Sequence, residues 1–585
     1  MQNTTFKQRL LAGCLAVVMT SATFSATAQA SLTANAAARY DSSTDIFHPV
    51  YAENGMVATE QALATRVGVD ILKQGGNAVD AAVAVGFALA VVLPNAGNIG
   101  GGGFMVLHHG QSGQNVAIDF REMAPLKASR DMYLDAQGNV IDGKSLFSHF
   151  AVGVPGTVAG MELALKKWGT LPLDKVLEPA IKLAEEGFPV SRTLANLLRT
   201  EADTLGKWQS SRKIFFKNDQ PLAAGELLVQ KDLAHSLKQI AKQGAKAFYE
   251  GEIAHKIVQE MQRHNGLISL EDMKGYQAVI RQPIEGHYRG YKIVTMPPPS
   301  SGGVHLVQMF NMLENYPLGD FGANSAKTIH LLAETMKLAY ADRAEYLGDP
   351  DFVNIPVKGL TSKGYAASLV SHISEDKARS AADIKAGQPQ PYESDQTTHY
   401  SVMDKSGNAV AVTYTLNLNF GSGIVAEGTG ILLNNEMDDF SAKPGVANAF
   451  GLIGGDANAI EAKKRPLSSM TPTLVLKENK PWLVTGSPGG ARIITTVLQS
   501  ISNTIDHQMN PAEAIISPRI HHQWLPDELR IEEGISPDTL AILKAKGHHI
   551  KLKAPMGRVQ IIQARDGGFY GYSDPRNPDG KTSGF

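Results

Sequence analysis

Gln396-Thr-Thr-His-Tyr-Ser-Val-Met403, Asp404-Lys-Ser-Gly-Asn408 and Ala409-Val-Ala-Val-Thr-Tyr-Thr415 follow one another directly. The outer two segments are β-branched and aromatic runs, and the middle one is a turn sequence, so together they read as a β-hairpin. With residues 404–408 as the loop, Met403 faces Ala409. Thr397 then falls opposite Thr415, with side chains on one face about 5 Å apart at Cβ. Upstream, Ser374 to Gln396 is polar, rich in Ala, Asp, Lys, Gln and Pro, and lacks apolar periodicity. It reads as an exposed linker. A linker running straight into a strand is what a processed junction would look like.

Helical patterns dominate the chain before the linker. Thr59 to Gln74 is a candidate helix closed by Gly75-Gly76, and Asn77 can cap the apolar segment that follows. Pro155 opens another helix through Leu163 to Trp168, and Ala326 to Leu347 is long and amphipathic. The apolar run Ala81 to Leu93 is shorter than the roughly 20 residues a membrane span needs, so it reads as a buried helix. No internal repeat is evident. With 55 Lys and Arg against 57 Asp and Glu, no basic face for nucleic acid is indicated. At 585 residues and 43% hydrophobic, the chain can build a large core.

Residues 1–30 read as a secretory signal. Lys7 and Arg9 precede an apolar stretch from Leu10 to about Thr20, and Ala26-Thr-Ala28 or Ala28-Gln-Ala30 offers a cleavage site. Leu11-Ala-Gly-Cys14 matches a lipoprotein box, but too few apolar residues precede the cysteine and the apolar stretch continues beyond it. Cleavage near Ala30 removes the single cysteine, and with it disulfides, thiolate metal sites and a cysteine nucleophile. The expected location is periplasmic or secreted.

Thr-Thr at a strand start is ordinarily structural. An N-terminal threonine is different, because its α-amine titrates near pKa ~8 and can act as the base for its own hydroxyl. The same hydroxyl could first attack the Gln396 carbonyl, giving an ester that water resolves. One side chain would then serve both maturation and catalysis.

Gln396 to Ser401 followed by Asn408-Ala-Val-Ala-Val-Thr-Tyr-Thr-Leu-Asn417 resembles the small-subunit start of γ-glutamyltransferases, which are N-terminal nucleophile hydrolases. The likeness continues through Gly430-Ile-Leu-Leu-Asn-Asn-Glu-Met-Asp-Asp-Phe440, Arg465-Pro-Leu-Ser-Ser-Met470 and Gly486-Ser-Pro-Gly-Gly490. Upstream it takes in Gly100-Gly-Gly-Gly-Phe104, Asp119-Phe-Arg-Glu-Met-Ala-Pro125 and Pro299-Ser-Ser-Gly-Gly303. The resemblance implies an α+β fold, the four-layer αββα sandwich of two stacked antiparallel sheets. It implies a large subunit of 31–396 and a small one of 397–585, intertwined as one heterodimer.

It also implies roles. Thr397 would be the nucleophile and Thr415 its hydroxyl partner. Arg121, Ser468 and Ser469 would bind the donor's α-carboxylate, as a guanidinium fork and two hydroxyls can. Asn417, Glu436 and Asp439 would receive its α-ammonium. The N–H groups of Gly489 and Gly490 would form the oxyanion hole, where one lost donor typically costs ~3–4 kcal/mol. Donors would be γ-glutamyl amides such as glutathione or glutamine, and acceptors water, amino acids or dipeptides. No cofactor, metal or membrane span is implied.

One departure stands out. In well-known bacterial relatives a lid loop after the Asp-Asp-Phe motif carries a tyrosine, whereas this sequence has Phe450 in Lys443 to Gly454. A phenyl ring can shield the pocket but cannot donate a hydroxyl hydrogen bond to Asn417, so easier water access is expected. Other readings are weaker. Gly486-Ser-Pro-Gly is not a G-x-S-x-G elbow, and Gly100 to Gly103 lacks nucleotide-loop spacing. The pairs His108-His109, His521-His522 and His548-His549 point to different faces, so no pair easily supplies two ligands to one metal. His399 could share the face of Thr397, but the α-amine makes a histidine base unnecessary. The rivals are a cephalosporin or glutaryl acylase of the same fold, and a binding protein that never self-processes.

Overall fold

The computed structural model describes residues 40–387, 398–443 and 455–585. The expected signal segment with Cys14, the end of the expected linker with Gln396 and Thr397, and the expected lid with Phe450 lie outside the described residues. Residues 40–46 form a small turn of their own, in which the Asp41 carboxylate accepts the N–H and hydroxyl of Ser43. Residues 47–585 form one unit.

Two seven-stranded antiparallel sheets make its centre. The first runs in the order Val50–Ala52, Gly568–Ser573, Gln560–Arg565, Lys480–Gly486, Thr473–Lys477, Tyr291–Thr295, Ile284–Tyr288. The second runs Lys581–Gly584, Gly55–Thr59, Thr398–Asp404, Ala409–Thr415, Gly102–His109, Gln114–Phe120, Val279–Arg281. Alternation along each strand decides which face meets which layer. Met56, Ala58, Phe104, Met403 and Ala411 of the second sheet pack against Val294, Leu474, Val484 and Ile562 of the first, giving an apolar layer between the sheets. Their neighbours Val57, Met105, Val402, Val410 and Val412 point outward, under helices Ala62–Lys73, Ala78–Val92 and Thr157–Trp168. On the far side Ile293, Val475, Leu483 and Ile561 meet helices Gly302–Leu313, Ala326–Tyr346 and Arg492–Ile505. This is the αββα sandwich.

The hairpin forms as read, with pairs from Thr398 opposite Tyr414 to Met403 opposite Ala409. Asn77 caps the apolar helix through a capping box with Asp80, and every residue of that helix is buried. The helix expected from Thr59 starts only at Ala62, because Thr59 ends a strand paired with Lys581–Gly584 and Gln61 provides the cap. The described part of the linker is mostly exposed yet tethered. Gly387 N–H donates to Asp342 (2.8 Å), and Trp524 Nε1 donates to the carbonyls of Ala381 (3.0 Å) and Ile384 (3.1 Å). Among the described residues no helix is long and apolar enough to cross a membrane.

Candidate active site

The hairpin strands lie at the middle of their sheet, and their last described pair, Thr398 and Tyr414, borders position 397. Thr398 donates from Oγ1 to Glu60 Oε1 (2.6 Å), and that carboxylate also faces Arg558 Nε at 3.0 Å. Thr415 is buried; its Oγ1 accepts the N–H of Asn417 at 2.7 Å, and its carbonyl accepts from Asn98 Nδ2 at 2.7 Å. The glycine run explains itself here. A Cβ on Gly101 would lie 1.9 Å from the Thr415 carbonyl oxygen, and one on Gly100 would lie 2.0 Å from that of Leu432. These glycines let backbones pass at contact rather than cradle a nucleotide.

His399 has both ring nitrogens engaged, with Thr413 Oγ1 at 2.9 Å and Ser401 Oγ at 3.0 Å. Burial drives its pKa down to about 3. Its ring rests on Gly486, where a Cβ would come within 2.4 Å. It is a neutral packing group of the sheet interface. Gly486 leads into Ser487-Pro-Gly489-Gly490, a turn with φ of 136° at Gly489 and 64° at Gly490, backbone that side chains rarely adopt. The carbonyls of Gly489 and Gly490 accept the N–H groups of Arg492 (3.3 Å) and Ile493 (2.8 Å), which fixes the turn to the start of a helix.

Arg121 follows strand Gln114–Phe120, and its guanidinium is wholly buried. Nη1 donates to Glu436, Nη2 to Asp439 at 2.5 Å and to the Leu467 carbonyl at 3.1 Å, and Nε to the Pro466 carbonyl at 3.0 Å. The groups expected to hold a carboxylate and those expected to hold an ammonium thus pair with each other. Glu436 and Asp439 reach Arg121 from the 3₁₀ turn Glu436–Asp439. Asn434 braces that turn by accepting Glu436 N–H (3.0 Å) while donating to the carbonyls of Gly100 and Gly153. Asp438, by contrast, accepts from Ser145 and is structural. Asn417, at φ 78°, donates from Nδ2 to the Asn435 carbonyl. Its Oδ1 is buried without a hydrogen-bond partner among the described residues.

Ser468 and Ser469 are buried and directly follow the carbonyls that hold Arg121. Two further residues escaped the reading of the sequence. Arg343, buried in helix Ala326–Tyr346, donates to Ser469 Oγ (2.8 Å) and Ser301 Oγ (3.2 Å). Glu122, fully buried, lies 3.6 Å from Arg121 Nη1, and burial pushes its pKa up to about 7 against the pull of Arg121. Burial also holds the Glu436 carboxyl well above the usual range. Three carboxyl groups therefore surround one guanidinium. The Glu122 signal was present in Arg121-Glu122, but only the fold shows that it turns inward.

Among the described residues, two groups of side chains have metal-ligand chemistry: His149, Glu260 and His264, and His330, Glu334 and His548. Neither involves the residues above.

A family model described as gamma-glutamyltranspeptidase matches residues 64–584. The chain is 59% identical over 548 residues to the glutathione hydrolase proenzyme of Escherichia coli K12, covering 93% of this chain and 94% of that protein. Among solved structures, the γ-glutamyltranspeptidase of Helicobacter pylori is 50% identical with a TM-score of 0.55, covering 56% of this chain and 93% of that one. The cephalosporin acylase of Bacillus halodurans is 29% identical with a TM-score of 0.83, covering 94% of this chain and 99% of that one. With a family match across nearly the whole folded unit, the chain belongs to the gamma-glutamyltranspeptidase family.

Proposed function

We propose that this protein is an exported, self-processing γ-glutamyltransferase and hydrolase that cleaves itself before Thr397. The observation that carries the reading is the buried cluster of the Glu122, Glu436 and Asp439 carboxyl groups around Arg121, together with the Asn417 Oδ1 that has no hydrogen-bond partner among the described residues. Three buried carboxyl groups share the single Arg121 guanidinium. An α-amino acid zwitterion offers complementary charges to both sides of this arrangement. Its carboxylate takes the Arg121 fork with the Ser468 and Ser469 hydroxyls, and its ammonium takes Asn417, Glu436 and Asp439. The internal pairs of Arg121 with Glu436 and Asp439 are exchanged for pairs with the donor's carboxylate and ammonium.

The hairpin register supports the chemistry. Its observed pairs run from Met403 with Ala409 to Thr398 with Tyr414, the register from which Thr397 is expected opposite Thr415. Thr397 Oγ attacks the γ-carbonyl while its freed α-amine takes the proton, and the oxyanion forms against the N–H groups of Gly489 and Gly490. Collapse breaks the amide, and the leaving amine receives the proton. Water or an acceptor amine then resolves the γ-glutamyl-threonine ester. Glutathione and glutamine are donors of the right chemistry, and the relatives named glutathione hydrolase proenzymes agree with this. The products of processing are a large chain ending at Gln396 and a small chain starting at Thr397.

An acylase reading has support in the relatives of that name. A glutaryl group lacks the α-ammonium and would leave the buried carboxylates unmatched. Comparing γ-glutamyl with glutaryl p-nitroanilide separates the two. The γ-glutamyl substrate should react at least about 100-fold faster, as expected where a buried polar site loses its partner. Equal rates would refute the donor assignment.

A further inference from the structure

A second cluster of functional side chains lies beside the candidate active site. His149 opens the 3₁₀ turn His149–Ala151, Glu260 sits in helix Glu252–Arg263, and His264 caps that helix. Both histidines approach the same oxygen: His149 Nε2 is 3.1 Å and His264 Nε2 3.5 Å from Glu260 Oε1. The two imidazoles stack at 4.3 Å, and Trp208 sets its edge against them at 4.9 and 5.5 Å. Gly266 lets the chain pass close to His149, since a Cβ there would lie 2.4 Å from Met261 Sδ and 3.0 Å from His149 Cβ.

Bonds of ~2.1 Å at tetrahedral angles place neighbouring ligand atoms roughly 3.4 Å apart. The two separations here bracket that edge. His149 and Glu260 are buried and fixed, whereas the His264 side chain is 43% exposed and offers both adjustment and a route from solvent. The other group, His330, Glu334 and His548, has no such opening. Lys337 Nζ already lies 2.6 Å from Glu334, with both side chains buried. Two imidazoles and one carboxylate select zinc-class ions over magnesium or calcium.

We propose that His149, Glu260 and His264 form a binding site for a divalent zinc-class ion, with its fourth position open to water. The site is wired to the acidic turn. Three residues before His149, the Leu146 carbonyl accepts from Asn435 Nδ2 (3.1 Å), and Ser145 donates to Asp438 (2.6 Å). An ion drawing on His149 therefore shifts the segment that braces Glu436 and Asp439, and raises the donor KM. This coupling rests on the γ-glutamyl reading; ion binding does not.

Calorimetric titration of the metal-free processed protein with zinc chloride tests binding, with cobalt(II) quenching of Trp208 fluorescence as the second readout. One ion should bind per molecule, and His264→Ala, a surface change, should weaken it by about tenfold or more and abolish the quenching. Absence of stoichiometric binding, or equal affinity in His264→Ala, overturns the site. A donor KM unmoved by saturating zinc in the wild type overturns the coupling. No turnover at all, with binding intact, would instead count against the γ-glutamyl reading.

Discussion

Arg121 Nη2 lies 2.5 Å from Asp439 Oδ2, and neither side chain reaches solvent. The pairing links the end of a strand to a turn 318 residues later, and so depends on the fold being complete. Removing the guanidinium leaves buried carboxylates without compensation, which typically costs ~3–5 kcal/mol. Arg121→Met should therefore lower the denaturation midpoint as well as abolish activity. Arg121→Lys should retain most of the stability yet raise donor KM, because an ammonium cannot present the bidentate fork. Chemical denaturation and steady-state kinetics on the two variants separate these effects.

Glu122 makes donor binding pH-dependent. Burial raises its pKa to about 7, so the folded protein keeps this proton at a pH where the unfolded chain, at 4.5, has released it. Stability on this account falls as pH rises between those values. Donor binding moves the opposite way, since the ionised carboxyl strengthens the field that holds the ammonium. Donor KM should fall as pH rises through about 7, and Glu122→Gln should flatten both profiles.

Thr415 holds the backbone of Asn417 through its hydroxyl. Thr415→Val keeps the shape and leaves the Asn417 N–H unsatisfied, a loss of ~1–3 kcal/mol. It should slow both self-cleavage and turnover, while Thr415→Ser restores them. Electrophoresis of the precursor over time reads the first effect directly.

Phe450, in the segment after the acidic turn, bears on the choice between water and amine acceptors. Phe450→Tyr should lower the ratio of hydrolysis to transpeptidation by restoring the tyrosine hydroxyl that the family resemblance leads one to expect there. An unchanged ratio in a paired assay with and without a dipeptide acceptor would remove the lid from the explanation.

The hairpin and the capped helix at Asn77 were legible because their determinants are local: β-branched alternation around a turn, and a side chain capping its own helix. Thr59 was misassigned to a helix because its strand character comes from Lys581–Gly584 at the other end of the chain. Arg343 gave no signal, since an arginine on a long helix is ordinarily solvated, and only packing against Ser301 and Ser469 turns it inward. The mutual pairing of Arg121 with Glu436 and Asp439 was equally invisible. Sequence likeness implied that Arg121 and the pair Glu436 and Asp439 bind opposite ends of a donor, and the geometry shows that they pair with each other.

Self-cleavage before Thr397 is the central claim, and N-terminal sequencing of the smaller fragment tests it most directly. The account predicts two fragments, the smaller beginning Thr-Thr-His-Tyr-Ser, and a single intact chain for Thr397→Ala. A smaller fragment starting at any other residue, or an active protein that remains one chain, would contradict it.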